Sequence, residues 1–175
     1  SKEKVKEHLH EGLDFATYEI RDFKYEENKS ALPSINENLN ITVDNYATVT
    51  GKRLFIVPNI MSRFNRRLSA DETRKYDILL SIEYAETDSV EIEIPEGFKP
   101  ESVPPDVHIA TVFGKYETRI SVNGNKIKYY RKLERFSGRF PAKRYNELVG
   151  FFDQVYKADR NKVVLVRNEP VLKGF

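Results

Sequence analysis

Between Leu39 and Tyr129 the apolar side chains recur every second residue, the period of a strand with one face buried. Leu39, Ile41 and Val43 share one face while Asn40, Thr42 and Asp44 share the other. Leu54–Ile60 is a dense apolar run broken by Pro58, which predicts an edge strand or a strand end. Ile78, Leu80, Ile82 and Tyr84 alternate, as do Val90, Ile92 and Ile94, and Glu86-Thr87-Asp88-Ser89 between them reads as a hairpin connection. Pro95-Glu96-Gly97 closes that second strand, and Pro100, Pro104 and Pro105 predict a rigid extended crossing. Ile109, Thr111 and Phe113 alternate up to Gly114; Tyr116, Thr118, Ile120 and Val122 follow. Asn123-Gly124-Asn125 is a tight-turn signal ahead of Ile127 and Tyr129. Both Gly114 and Gly124 are assigned to turns.

Two stretches depart from this rhythm. Val5, Leu9 and Leu13 lie at i, i+4 and i+8, predicting a short N-terminal helix over Lys2–Leu13. After it, Phe15–Lys24 is expected to be extended, with Tyr18 and Ile20 on one face, and the polar Glu26–Glu37 to be a loop. Beyond Gly138 and Pro141, Tyr145, Leu148, Val149, Phe152 and Val155 fall on one side of a helix running to about Ala158. A last strand, Lys162–Arg167, holds Val163-Val164-Leu165-Val166. The fold expected is mainly β: an antiparallel two-sheet sandwich, immunoglobulin-like or jelly-roll-like, with a helix at each end of the chain. The C-terminal helix is expected to cover a sheet edge or an open end. The expected division is a connecting segment at 1–37, a sandwich at 38–168 and a tail at 169–175.

The 175 residues suffice for one substantial core without metal or disulfide staples. With no cysteine, disulfides, thiolate metal sites and a Cys nucleophile are excluded. No apolar run reaches membrane-spanning length, so membrane insertion is not expected. The chain begins at Ser1 rather than Met and is read as a processed or excised piece.

Net charge is only +2, yet the charges are segregated. Residues 76–106 are strongly acidic and residues 115–144 strongly basic. A basic face for nucleic acid or an acidic glycan is one reading, but no nucleic-acid motif accompanies it. The favoured reading is that acidic and basic strands lie side by side and pair across the sheet. Arg63, Arg66 and Arg67 with Phe64 form a second basic spot, read as a solvated loop.

Candidate chemistry is sparse. His8 and His10 point to different faces of a helix, His108 stands alone, and no phosphate loop or G-x-S-x-G is present. No catalytic residue, metal site or cofactor is expected. The aromatic cluster Tyr129, Tyr130, Phe136, Phe140, Tyr145, Phe151 and Phe152 reads first as core. Tyr130, Phe136, Phe140 and Tyr145 of this cluster, with Arg131 beside them, form the candidate interaction surface.

The order of several short motifs resembles a β-sandwich domain of unknown function that follows the core of bacterial transglutaminase-like proteins. These motifs are Leu54-Phe55-Ile56-Val57-Pro58, Tyr76-Asp77-Ile78, Ile94-Pro95-Glu96-Gly97-Phe98, Phe113-Gly114-Lys115-Tyr116 and Ile127-Lys128-Tyr129-Tyr130-Arg131. Val103-Pro104 falls between the third and fourth of them, and Tyr145 with Phe152 and Ala158-Asp159 ahead of Lys162-Val163-Val164-Leu165 complete the series. The resemblance implies a non-catalytic accessory domain, a partner in the transglutaminase-like core of the same polypeptide, and a periplasmic or secreted setting. The isolated fragment would then carry an apolar patch available for self-association. An independent glycan- or peptide-binding module is the alternative.

Overall fold

The computed structural model describes Glu7, Leu13 and residues 15–168. The helix expected over Lys2–Leu13 therefore lies, apart from those two residues, outside the described residues, as does the tail beyond Asn168. The chain divides into two compact units, Ser1–Thr48 and Val49–Phe175. Among the described residues no helix is long and apolar enough to cross a membrane.

The first unit is a long antiparallel ribbon of β1 (Tyr18–Asn28) and β2 (Ser34–Val43). Tyr18 opposes Val43, Ile20 opposes Ile41 and Phe23 opposes Leu39. The apolar spacing along β1 thus slips from two to three after Ile20. A register shift between Ile20 and Asp22 absorbs the extra residue and keeps Phe23 in phase with Ile20. The loop expected over Glu26–Glu37 is shorter than predicted, because β1 runs to Asn28 and β2 begins at Ser34. The hairpin end of the ribbon, residues 24–28 with 34–38, is exposed on both faces, so polar residues are tolerated there and the polarity signal misleads.

The second unit contains two four-stranded sheets and a short ribbon, with antiparallel pairing in every recorded register. The first sheet has the order β6 (Tyr84–Glu93), β10 (Lys126–Arg135), β9 (Gly114–Asn123), β8 (Val107–Thr111). The second has the order β3 (Thr48–Thr50), β4 (Arg53–Ile56), β12 (Val163–Arg167), β7 (Phe98–Ser102). β5 (Ile78–Leu80) pairs with β11 (Gly138–Phe140). A single 3-10 turn at Ala142–Arg144 leads into helix α1 (Tyr145–Ala158).

The chain is mainly β and antiparallel, with one helix near its end, as the periodicity predicts. Several boundaries move. Glu86-Thr87-Asp88-Ser89 is not a hairpin: β6 passes straight through it, in unbroken register with β10 from Tyr84↔Arg135 to Glu93↔Lys126. Asp88 there looks like a turn residue only because its partners, Arg131 and Ser62, are remote in sequence. The alternation from Ile78 to Tyr84 likewise spans two strands, β5 and β6. β4 ends before Pro58 and lies inside its sheet, so the strand-end reading holds and the edge reading does not. Pro100 sits in β7, an edge strand, where its missing N–H costs no ladder bond.

Helix α1 covers a sheet face rather than an edge. Leu148, Phe151, Phe152 and Val155 are buried with Tyr116 and Leu133 of the first sheet, Phe113 of the turn between β8 and β9, and Ile78 of β5. Two adjacent phenylalanines widen the apolar stripe beyond what an edge could bury. The basic strand β10 lies beside the acidic β6. Lys126 and Lys128 both pair with Glu91, so the segregated charges compensate across the sheet. Arg53 and Glu101 do the same in the second sheet.

Gly124 takes φ +59° at the first position of the β9–β10 turn, a conformation glycine adopts without strain. Gly114 has another role. It opens β9 instead of forming the turn, and a Cβ there would lie 2.1 Å from the carbonyl oxygen of Glu134 and 3.2 Å from the ring of Phe151. Gly114→Ala should therefore destabilise the second unit by about 1–3 kcal/mol, the range for forcing a methyl into a filled core. Gly97→Asn, where a Cβ meets nothing within 4 Å and φ is positive, should cost less when both variants are unfolded in urea.

Candidate functional site

Asp159 caps the C-terminal end of α1. An acid there faces the negative pole of the helix, an unfavourable place unless cations and donors surround it. They do. Oδ1 of Asp159 accepts from Asn59 Nδ2 at 2.9 Å, Tyr116 Oη at 2.7 Å and Arg131 Nε at 2.8 Å. Oδ2 accepts from the Phe64 amide at 2.8 Å and Arg131 Nη2 at 3.3 Å. Five donors on one carboxylate fill its acceptor capacity.

Arg131 reaches this point from β10 with no exposed surface. Its Nη1 donates outward along the sheet to Asp88 Oδ2 at 2.9 Å and Glu86 Oε2 at 3.3 Å, and its guanidinium lies 5.6 Å from the Tyr116 ring centre. Burial alone would lower its pKa, but the bonds to Asp159 and Asp88 hold it above the ordinary arginine value. Ser62 donates to Asp88, and the Ser62 amide donates to Asn59 Oδ1 at 3.0 Å. Tyr129 Oη is buried without a hydrogen bond of good geometry. Burial and the charge of Asp159 push both Tyr116 and Tyr129 well above the usual phenol pKa.

The cluster joins three parts of the second unit: the first sheet, the end of α1 and the irregular segment 57–77. The basic spot at Arg63–Arg67 belongs to that segment and is pinned to the helix. Phe64 stacks on Phe152 at 4.7 Å, Arg160 Nη1 donates to the Phe64 carbonyl at 2.9 Å, and Arg67 pairs with Asp153 at 2.7 Å. Chemically the cluster is a closed lattice. Its three carboxylates, Asp159, Asp88 and Glu86, all face Arg131.

The opposite, solvent-facing side of the same sheet is concave. His108, Ala110, Lys115, Glu117, Tyr130, Lys132 and Glu134 line a depression of about 370 Å³. Lys132 pairs with Glu134 at 2.8 Å, and Arg119 with Glu117 at 3.3 Å. The five candidate surface residues separate accordingly. Tyr130 lines the depression, while Arg131, one residue on, points to the other side and is buried. Phe136, Phe140 and Tyr145 are half-buried; Phe140 packs on Phe113 at 4.7 Å, and Tyr145 lies under Arg74. Strand alternation alone separates Tyr130 from Arg131, and that signal was legible. The role of Asp159 was not, because its partners lie 28 to 100 residues away.

Removing one partner of a buried ion pair leaves the other uncompensated, so Arg131→Ala should cost about 3–5 kcal/mol in urea unfolding. Arg131→Met with Asp159→Leu should cost much less than the two single changes together. The raised phenol pKa values have a sign: the unfolded chain ionises its tyrosines near pH 10 while Tyr116 and Tyr129 stay neutral in the fold. Stability held below pH 10 is thus lost as pH climbs above it. In a phenolate absorbance titration at least two of the 10 tyrosines should ionise only together with unfolding.

No curated protein matches the chain. Among solved structures it is similar to the crystal structure of a "putative protease" from Parabacteroides distasonis, with 19% identity and a TM-score of 0.47. The match covers 56% of this chain and 19% of that one, so the chain spans about a fifth of that protein. Residues 52–165 match the family model of a domain of unknown function with a solved structure, DUF3858, and this stretch holds both the buried cluster and the concave face. The chain therefore belongs to the DUF3858 family of domains of unknown function.

Proposed function

We propose that the chain is a non-catalytic accessory domain that packs on, and positions, the transglutaminase-like core of its own polypeptide in the periplasm or outside the cell. The observation that carries this reading is a cluster of bare apolar side chains on one short stretch. Tyr76, Leu79 and Ile82 are 83%, 65% and 62% exposed, within seven residues around β5. Large apolar groups held out to water on a rigid ribbon mark a surface made to be covered. The ribbon is rigid because Ile78, between them, is part of the core, and Arg135 donates twice to the Ile82 carbonyl. The closed lattice around Asp159 fits the same role, since it stiffens the domain and offers no reactive group. The order of motifs quoted above supplies the kind of core.

A second reading rests on the concave face: a tyrosine beside convergent charged groups in a depression of about 370 Å³ suits an independent glycan- or peptide-binding module.

Hydrogen exchange separates the two. In the intact parent polypeptide, amides of residues 76–82 should exchange more slowly than in the isolated chain, and Leu79→Asp with Ile82→Asp should abolish the difference. Equal exchange in both would reject the accessory role, as would an intact gene product with no Cys-containing domain upstream of Ser1. Binding on a glycan array lost in Tyr130→Ala would favour the second reading.

A further inference from the structure

The free backbone groups of a sheet edge invite another strand unless the edge is guarded by charge, proline, a bulge or a covering element. The outer strands of the two four-stranded sheets are guarded with one exception. β6 turns Glu86 and Asp88 inward to Arg131 and carries Glu91 and Glu93 outward. β7 holds Pro100, and β3 has three residues. β8, the other edge of the first sheet, reads Val107-His108-Ile109-Ala110-Thr111, with no acid, lysine, arginine, proline or bulge. Among the described residues it is bonded to β9 alone.

The register tells which of its groups are free. Thr111 and Gly114 flank the two-residue turn and so exchange their hydrogen bonds. By alternation Ile109↔Tyr116 and Val107↔Thr118 are also bonded pairs. His108 and Ala110 therefore direct their N–H and C=O groups to the empty side, and both residues are exposed.

We propose that β8 pairs antiparallel with β8 of a second copy of this chain, around a two-fold axis at Ile109, joining the two first sheets into one of eight strands. This register follows from the strand itself. It sets His108 opposite Ala110 of the copy and Ala110 opposite its His108, which uses all four free groups on each strand. On the inner face Ile109 meets Ile109 and Val107 meets Thr111, all β-branched pairs that suit neighbouring strands. On the outer face the large His108 meets the small Ala110. Charge agrees: Lys115 stands behind Ala110, and Glu117 stands behind His108, 3.5 Å from its Nδ1. The axis thus brings a lysine and a glutamate into the same row. Val112, 40% exposed at the tip of the β8–β9 turn, is an apolar group beside the joint. Five residues a side make a small interface, so the dimer is a weak, concentration-dependent one.

Sedimentation equilibrium of the whole chain tests this. The mass should rise from 20.4 kDa toward twice that value as concentration is increased into the about millimolar range. Ala110→Lys, on an exposed position that gives no ladder bond to β9, should hold the mass at the monomer value without changing thermal unfolding measured in dilute solution. The chain has no cysteine, so Ile109→Cys introduces one thiol at the proposed axis. Mild oxidation should give a covalent dimer, whereas Val122→Cys should not. A monomer at every concentration overturns the proposal. So does a dimer that survives Ala110→Lys, since that dimer forms elsewhere.

Discussion

A buried carboxylate is tolerated only where donors replace the water it gives up, and Asp159 shows how much structure that requirement can organise. Its five donors come from β9, β10 and the segment after β4, and each must be in place for the charge to be solvated. Position makes the demand sharper, because the residue closes a helix at its negative end. The helix thus cannot dock on the sheet by greasy contact alone. It must also arrive in the register that hands Asp159 to Arg131. Apolar packing between Phe151, Phe152, Val155 and the sheet supplies most of the favourable burial; the ion pair selects one arrangement among those the apolar faces would accept.

The same constraint explains why a segment of some twenty irregular residues can be ordered. Residues 57–77 contain no strand or helix, yet Asn59, Ser62 and Phe64 each satisfy a buried or half-buried partner. Its backbone donors are spent on side chains rather than on a ladder, the usual alternative for a loop that crosses protein instead of solvent. Arg160 and Asp153 then hold its far side through the Phe64 carbonyl and Arg67. Cation and ring contacts, such as Arg160 at 3.5 Å from the Tyr156 ring centre, reinforce a geometry already set by the cluster.

What the sequence disclosed follows from this division of labour. Strands whose two faces differ, β9 and β10 above all, were legible because alternation reports burial directly. The helix was legible for the same reason, at its own period. The cross-sheet pairing of acidic and basic strands was legible as a pattern of charge. Failures fall where a polar residue is placed by a distant partner. Asp88 imitates a turn residue, since nothing nearby in sequence discloses Arg131. Glu26–Asn28 and Ser34–Glu37 imitate a loop, since an exposed ribbon end exerts no pressure for apolar residues. Gly114 imitates a turn glycine, whereas its real constraint is a carbonyl oxygen in the neighbouring strand.

The two faces of the first sheet then divide the molecule's duties. Its inner face is fixed: Arg131, Tyr116 and Leu133 are locked under the helix, and any change there propagates to three elements. The outer face carries exposed, mutually compensating charges that add little to the stability of the fold. Substitution there is inexpensive, so selection can act on surface chemistry with little effect on stability. Adjacent residues on one strand, Tyr130 and Arg131, sit on opposite sides of that divide. A rigid inner lattice makes the outer face and the free edge at β8 geometrically reliable surfaces for docking. Recognition by either surface depends on that reliability, because a partner can match only a geometry that stays fixed.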